Sequence, residues 1–396
     1  MDTKGQETMY LADCLKTEGI AVTIMDAGIR DQCPVPVDIP REKVAQAGGK
    51  SLEEVQTIGH EGQALEVMTN GAIQCARELH RQNKIQGVIS LGGSMGTTLG
   101  SGVMRSFAVG LPKVMISTMA SRDTRAFVGT KDIFMLHSVC DLVGLNRVTK
   151  KILRNGALAL AGMLRSAVPD DAAEQKSLVF VSTLGTTEAC AQQVRKTLEE
   201  KNNEVVIFHT VGSGGKAMEE MIQQENVSVL VDLSLHEIAD HLFGGDYDAG
   251  PKRGSVALDQ KIPTILVPGN IDFLVTGPVE NAQKQFPNRP YHVHNAAITV
   301  VRTKQEEIEM LAQTIAGLCN KAKGTVKILV PMNGFSAFDH KEGPLHDPEA
   351  PEIFIKILEK SLDDKSCLNA LPFYINDPEF AQAIIDMSFR INPDIS

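Results

Sequence analysis

The chain has 396 residues, and with 43% hydrophobic and 22% charged residues it has the make-up of a globular protein of about two domains. A formal net charge of −10 and a pI near 5.5 argue against a broad basic face for nucleic acid or a membrane surface. Seven cysteines, scattered without a CxxC pair, point to reduced thiols in a cytoplasm, and no apolar run of about 18 residues predicts a membrane span.

The chain opens on a repeat. Asp2–Asp26 aligns without a gap on Gly185–His209, 183 positions later, with Leu15 on Leu198, Val22 on Val205 and Ile24 on Ile207. Each copy reads as a Gly/Thr-bearing turn, an amphipathic helix and a strand. The second copy has an apolar run before its turn, Ser177–Ser182, which reads as a parallel strand. The first copy has none, so the first domain is expected to lack its first strand. Ile20–Met25 is predicted as a strand, and Val35–Ser51, with its prolines and Gly-Gly, as a loop excursion. Glu61–His80 carries Leu65, Met68, Ala72, Cys75, Ala76 and Leu79 at helical spacing. Gly87–Leu91 and Lys113–Thr118 read as strands, and Asn146–Met163 as a helix. The charged, proline-bearing stretch at 167–175 is the predicted linker between a domain at 1–166 and one at 176–396. There the alternation resumes, with strands at Leu178–Ser182, Val205–Phe208, Val227–Leu233, Thr264–Val267, Val326–Val330 and Leu371–Ile375. The expected class is therefore α/β: two Rossmann-like domains with mainly parallel sheets.

The strongest chemical signal is Val88–Leu91 followed by Gly92, Gly93, Ser94, Met95, Gly96, Thr97 and Thr98. A strand delivers the chain to a turn of glycines and hydroxyls that starts a helix, where backbone N–H groups and the helix dipole favour an anion. The spacing matches no standard nucleotide motif, and glycines also serve such turns sterically. Ligands of open parallel sheets bind at the carboxyl ends of strands. Thr3, Lys4 and Gly5, the turn at Ser117–Asp123 with Thr118 and Arg122, and Gly129–Asp132 are expected on that same edge. They offer hydroxyls, the cations Lys4, Arg122 and Lys131, and carboxylates at Asp2, Asp123 and Asp132 for Mg²⁺. Gly212–Lys216 lacks the Ser or Thr of a Walker loop but offers backbone to an anion. His236 and Asp240 share a helix face, and His292 and His294 one side of an extended segment. Those four make a distant metal-hydrolase alternative.

With DTKGQE, ISLGGSMGTT, PKVMISTMAS, VGTKDI, DLVGLNR, EIADHLFGG, YHVHNAAITVVRT and GPLHDPEAP in order, the chain resembles, over essentially its whole length, the ATP-binding-domain family of the tomato mosaic virus resistance protein. The resemblance implies two Rossmann-like domains, a homodimer, and nucleotide binding with Mg²⁺. It points to Gly92, Gly93, Ser94, Gly96, Thr97, Thr98, Ser117, Thr118 and Asp132 as nucleotide contacts. In the plant protein the domain is fused to a barrel-like one and blocks viral replication, an action not carried over. The chain departs from the family in lacking an apolar strand before DTKG, and at His236 and His241. The expected function is ATP binding at the carboxyl edge of the first sheet. The alternatives are an ATP-dependent enzyme that activates or phosphorylates a small metabolite held between the domains, and a nucleotide-gated binding protein.

Overall fold

The computed structural model describes residues 3–30, 33, 35–165 and 176–396; Asp2 and the expected linker at 167–175 fall outside them. The chain divides into two compact units, Met1–Ala172 and Ala173–Ser396, and both are Rossmann-like α/β structures.

In the first unit, β1 (Val88–Gly92), β2 (Lys113–Ser117) and β3 (Phe134–His137) form a parallel sheet in the order β1-β2-β3. All five residues of β2 are buried, whereas β1 is buried only at Gly92. The helix Glu61–Arg81 forms where its spacing predicts and buries Ala64, Met68, Ala72, Cys75 and Ala76. The excursion holds a short helix, Arg41–Ala47, laid against it. Gly71 makes that approach possible, because a Cβ there would sit 1.8 Å from the Val44 carbonyl oxygen. Helix Gly5–Thr17 buries Leu11 and Leu15 against Leu153, Ala157 and Leu160 of helix Arg147–Arg165.

Ile20–Met25 is not a strand. It makes one isolated bridge, Met25 to Ile39, and hydrogen bonds to the 38–39 stretch on one side. Its apolar alternation suits a pleat, but a ladder needs a neighbour to exchange N–H···O bonds with, and none of the described strands lies beside it.

The second unit contains a six-stranded, fully parallel sheet in the order β12-β11-β7-β6-β4-β5. These strands are β4 (Leu178–Thr183), β5 (Glu204–His209), β6 (Val227–Ser234), β7 (Thr264–Gly269), β11 (Val326–Pro331) and β12 (Leu368–Leu371). The last lies three residues upstream of its predicted place. Pro372, which has no N–H for the ladder, follows its end. A small antiparallel sheet, β8 (Phe273–Thr276), β10 (Ile298–Arg302) and β9 (Tyr291–Asn295), is inserted between β7 and β11. The repeat is carried into structure without a shift: helix Gly5–Thr17 and helix Glu188–Glu200 are both 13 residues long and stand 183 positions apart.

Candidate functional site

β1 ends at Gly92, and helix Ser94–Arg105 begins two residues later with Gly93 as its N-cap. The first amides of a helix have no partner within it. Among the described residues no side chain accepts from the amides of Ser94, Met95 or Gly96. The glycines divide by what they do. A Cβ on Gly92 would meet Gly96 Cα at 2.8 Å, one on Gly96 the Leu91 carbonyl oxygen at 3.2 Å, and one on Gly100 Ser90 Oγ at 2.4 Å. These three let helix and strand close on each other. Gly93 has no such duty: its φ is −79° and its nearest neighbour would be Thr118 Oγ1 at 3.8 Å.

Gly92, Gly93, Ser94 and Gly96 border a cavity of about 1300 Å³ together with Thr3 and Lys4. The amide of Thr118 donates to the Gly92 carbonyl oxygen at 3.2 Å, which sets the Thr118 hydroxyl beside Gly93. Thr3, Lys4, Gly92, Gly93, Ser94 and Gly96 thus line one cavity, and Thr118 stands beside Gly93. Thr98 is exposed on the following turn of the helix and donates to the Ser94 carbonyl oxygen. Arg122 is exposed in the turn after β2, where its amide donates to Met119 O.

Three expected contacts are placed otherwise. Thr97 and Ser117 are fully buried, 2.6 Å apart through their hydroxyls, and Thr97 also donates to the Gly93 carbonyl oxygen; they brace the turn from beneath. Asp132 precedes β3 and so lies at the amino edge of a parallel sheet, opposite the Gly92 turn. Its two oxygens accept from Lys113 Nζ at 2.8 Å and from the Gly110 amide at 2.9 Å. Asp123 is bonded by Arg125, whose hydrogen bonds hold its carboxyl down at about 2.

The second unit treats its glycine-rich turn differently. The amides of Gly212 and Gly215 both donate to Glu237 Oε1, at 2.6 and 3.0 Å, so a buried carboxylate of the same unit occupies the anion position. Glu237 Oε2 accepts from Arg253 Nε at 2.7 Å, and Arg253 grips both oxygens of Asp232 at 2.6 and 2.7 Å. Burial pushes the neighbouring Glu219 carboxyl up to about 7, against the pull of Arg253 and the Gly254 and Val256 amides. No local motif signals this network, since its hydrogen bonds join residues 16 to 25 positions apart.

The metal-hydrolase residues do not meet. His236 and Asp240 are buried and pair with each other, Nε2 to Oδ2 3.3 Å. His292 and His294 pack on Phe338, which is separated from His236 by Phe273. Among the described residues no group of three His, Cys, Asp or Glu side chains is arranged to hold a metal, and no helix is long and apolar enough to cross a membrane.

Comparison with known proteins covers both units. Residues 1–169 match the N-terminal domain, and 176–391 the C-terminal domain, of an uncharacterised protein family, UPF0261. A UPF0261 protein of Clostridium tetani is 36% identical over 385 residues, covering 97% of this chain and 95% of that one. One from Rhizobium meliloti is 32% identical over 386 residues, covering 97% and 95%. The ToMV resistance protein Tm-1(GCR237) of Solanum lycopersicum is 31% identical over 413 residues; the match takes in 99% of this chain but 55% of the tomato protein, so the chain spans about half of that relative. The chain belongs to the UPF0261 family, in both its N-terminal and its C-terminal domain.

Proposed function

We propose that the protein binds a nucleotide, ATP in the first instance, with a phosphate on the amides of Ser94, Met95 and Gly96 and with Thr3, Lys4 and Thr118 around it. One observation carries this reading. The glycine-rich turn of the second unit has its amides taken by Glu237, whereas the turn at Gly92–Thr98 borders a cavity, and among the described residues no carboxylate accepts from its amides. Amides at a helix start with a lysine nearby favour an anion, and Gly93 is the residue whose lack of a side chain packing does not explain. The ToMV resistance protein is a relative over this region, and what its name states is not extended to this chain.

Mg²⁺ belongs to this proposal as an ion that arrives on the phosphates. Asp132 and Asp123, its expected ligands, are engaged with Lys113 and Arg125, so these residues do not fit a protein-held Mg²⁺ and no step is derived through one. A cytoplasmic location is part of the same reading, supported by seven cysteines that are all free. A homodimer remains what the family resemblance implies.

The test is thermal. A ligand at one hundred times its Kd stabilises a folded protein by about 2.7 kcal/mol. ATP with Mg²⁺ should raise the melting temperature of the first unit, and Gly93→Val should remove that rise while leaving the unliganded melt in place. Adenosine should do less than ATP. A melt unmoved by ATP, ADP, GTP and inorganic pyrophosphate alike would end the proposal.

A further inference from the structure

Between β11 and helix Ala350–Ser361 the chain runs through residues 332–349 without helix or strand. Two bonds lay this loop over the carboxyl edge of the second sheet. The Ala337 amide donates to the Thr186 carbonyl oxygen after β4, at 3.1 Å, and the Phe335 carbonyl oxygen accepts from the Asn270 amide after β7, at 2.9 Å. The loop is wound around one fully buried carboxylate. Asp339 accepts from the Phe335 amide at 3.0 Å, from the Asp347 amide at 3.0 Å and from Arg302 Nη1, at the end of β10, at 2.9 Å.

A second buried carboxylate stands there without a cation of its own. Asp272, three residues past β7, is fully buried; its Oδ2 accepts from Ser336 Oγ of the loop at 2.6 Å, and among the described residues no donor reaches its Oδ1. Arg302 Nη1 lies 3.8 Å from Asp272, outside hydrogen-bond distance, and Arg302 Nη2 lies 3.7 Å from Asp347. One guanidinium thus serves two buried carboxylates and hydrogen-bonds only Asp339. An ionised carboxylate with a bare buried oxygen is costly, and such a group keeps its proton instead. Burial and Asp339 push Asp272 up to about 7, and burial raises Asp339 as well, against the pull of Arg302. The other titratable groups around the pair are His346 and Asp347 on the loop and Tyr374 after β12. His236, packed on Phe273, is paired with Asp240, and Arg289, on the Arg302 carbonyl oxygen, is paired with Glu307.

We propose that Asp272 is a pH-operated latch on the loop 332–349: with its proton it holds Ser336 and leaves Arg302 to Asp339, and without it the loop lifts from the carboxyl ends of β4 and β7. The ionised group has two needs that the shut loop does not meet. Its bare oxygen needs water, and water reaches a buried atom only when the cover moves. Its charge draws Arg302, and Asp339, the hub of the loop, then loses its one bonded cation. Opening releases the Asp272 proton to solvent, so each unit of pH between the ordinary 3.8 and the folded value of about 7 favours the open loop about tenfold. The shut form is therefore complete below 3.8, and this contribution is spent as pH rises through about 7. At this edge the strand order turns, with β5 on one side of β4 and β6 on the other, and open parallel sheets take ligands at such a point. The polar side chains there bond one another, Asn270 Nδ2 to Ser234 Oγ at 2.9 Å and to Thr187 Oγ1 at 3.2 Å, and lifting the loop uncovers them.

Amide hydrogen exchange on the full chain, corrected for the intrinsic rate at each pH, tests the latch. Protection over 335–347 should fall at least about tenfold between about pH 5 and about pH 7. It should not change in about 1 M urea, which marks an opening smaller than unfolding, whereas protection over β4 and β6 should follow urea. Asp272→Asn keeps an oxygen for the Ser336 hydroxyl and has no proton to lose, so its loop should hold one level of protection at both pH values. Glu219→Gln, which removes a third raised carboxyl of the unit, should keep the parent's fall. Loop exchange in the parent that is flat with pH, or that follows urea as the sheet does, overturns the proposal. So does a fall that persists in Asp272→Asn or vanishes in Glu219→Gln.

Discussion

Each unit ends a parallel strand on a glycine-rich turn that starts a helix, and the two turns are finished in opposite ways. At Gly212–Lys216 the amides close on Glu237, which is held by Arg253, which is held by Asp232, and every member of that chain is buried. At Gly92–Thr98 the hydroxyls beneath the turn are satisfied, Thr97 on Ser117, while the amides above border open space. The strands before the two turns do not make this difference, since among the described strands β5 and β1 each pair on one side only. A glycine-rich turn therefore says that backbone comes close to an anion, and the neighbouring carboxylates decide whether that anion is a side chain or a ligand.

The largest effect expected from this contrast lies in the second unit. Arg253→Met removes the partner of Asp232 and Glu237 while both remain buried, and breaking a buried ion pair on one side costs about 3–5 kcal/mol. Lysine keeps the charge but not the fork that meets Asp232 at two points and Glu237 at a third, so Arg253→Lys should recover only part of the loss. Urea unfolding followed by circular dichroism, the chain having no Trp, measures both. A loss for Arg253→Met no larger than that of an exposed-residue control such as Lys252→Met would mean that the network does not seal the turn.

How much of this could be read beforehand depends on the range of the signal. The amphipathic period of Glu61–His80 and the apolar runs of β4, β6, β7 and β11 are local, and the helix and strands stand where those patterns put them. The repeat, a long-range signal carried in sequence, located the paired helices. Two kinds of feature escaped. Phe134–His137 is a four-residue strand with exposed ends, too short to show a period. Asp132 follows a β2-to-β3 connection of ordinary polar residues, and only the placement of β3 shows that the chain has crossed from the carboxyl to the amino edge before reaching it. The partners of Arg253 are set by the sheet order, which no local pattern encodes.

A smaller effect comes from pH. Glu219 has a folded value of about 7, raised by burial, against an ordinary 4.5. Between those values the native state keeps a proton that the unfolded chain has released, so this group's contribution is complete below about pH 4.5 and is lost as pH rises through 7. The full swing is about 3 kcal/mol from 1.36 kcal/mol per unit. Asp272, pushed up to about 7 by burial and the neighbouring Asp339, acts in the same direction. Glu219→Gln should therefore flatten, without abolishing, the fall in second-unit stability between pH 4.5 and 8. An identical slope in variant and parent would return Glu219 to an ordinary surface-like carboxylate.

The smallest predicted effect separates the two sheets most directly. Val181, in β4, is fully buried, and its truncation to Ala should cost roughly 2 kcal/mol by lost burial and the void left behind. Leu91, in β1, is larger but only half-buried and already borders a cavity, so Leu91→Ala opens no new void and should cost less than about 1 kcal/mol. Hydrogen exchange over 178–183 and 88–92 reads the two losses separately. With Leu-Val-Phe-Val-Ser-Thr, the β4 sequence, appended before Met1, Leu91 becomes a covered core residue and its truncation should cost at least as much as that of Val181. If the cost at Leu91 stays below about 1 kcal/mol in that chain, β1 remains an edge whatever is placed beside it. The difference between the two sheets would then lie in their own residues and not in a missing neighbour.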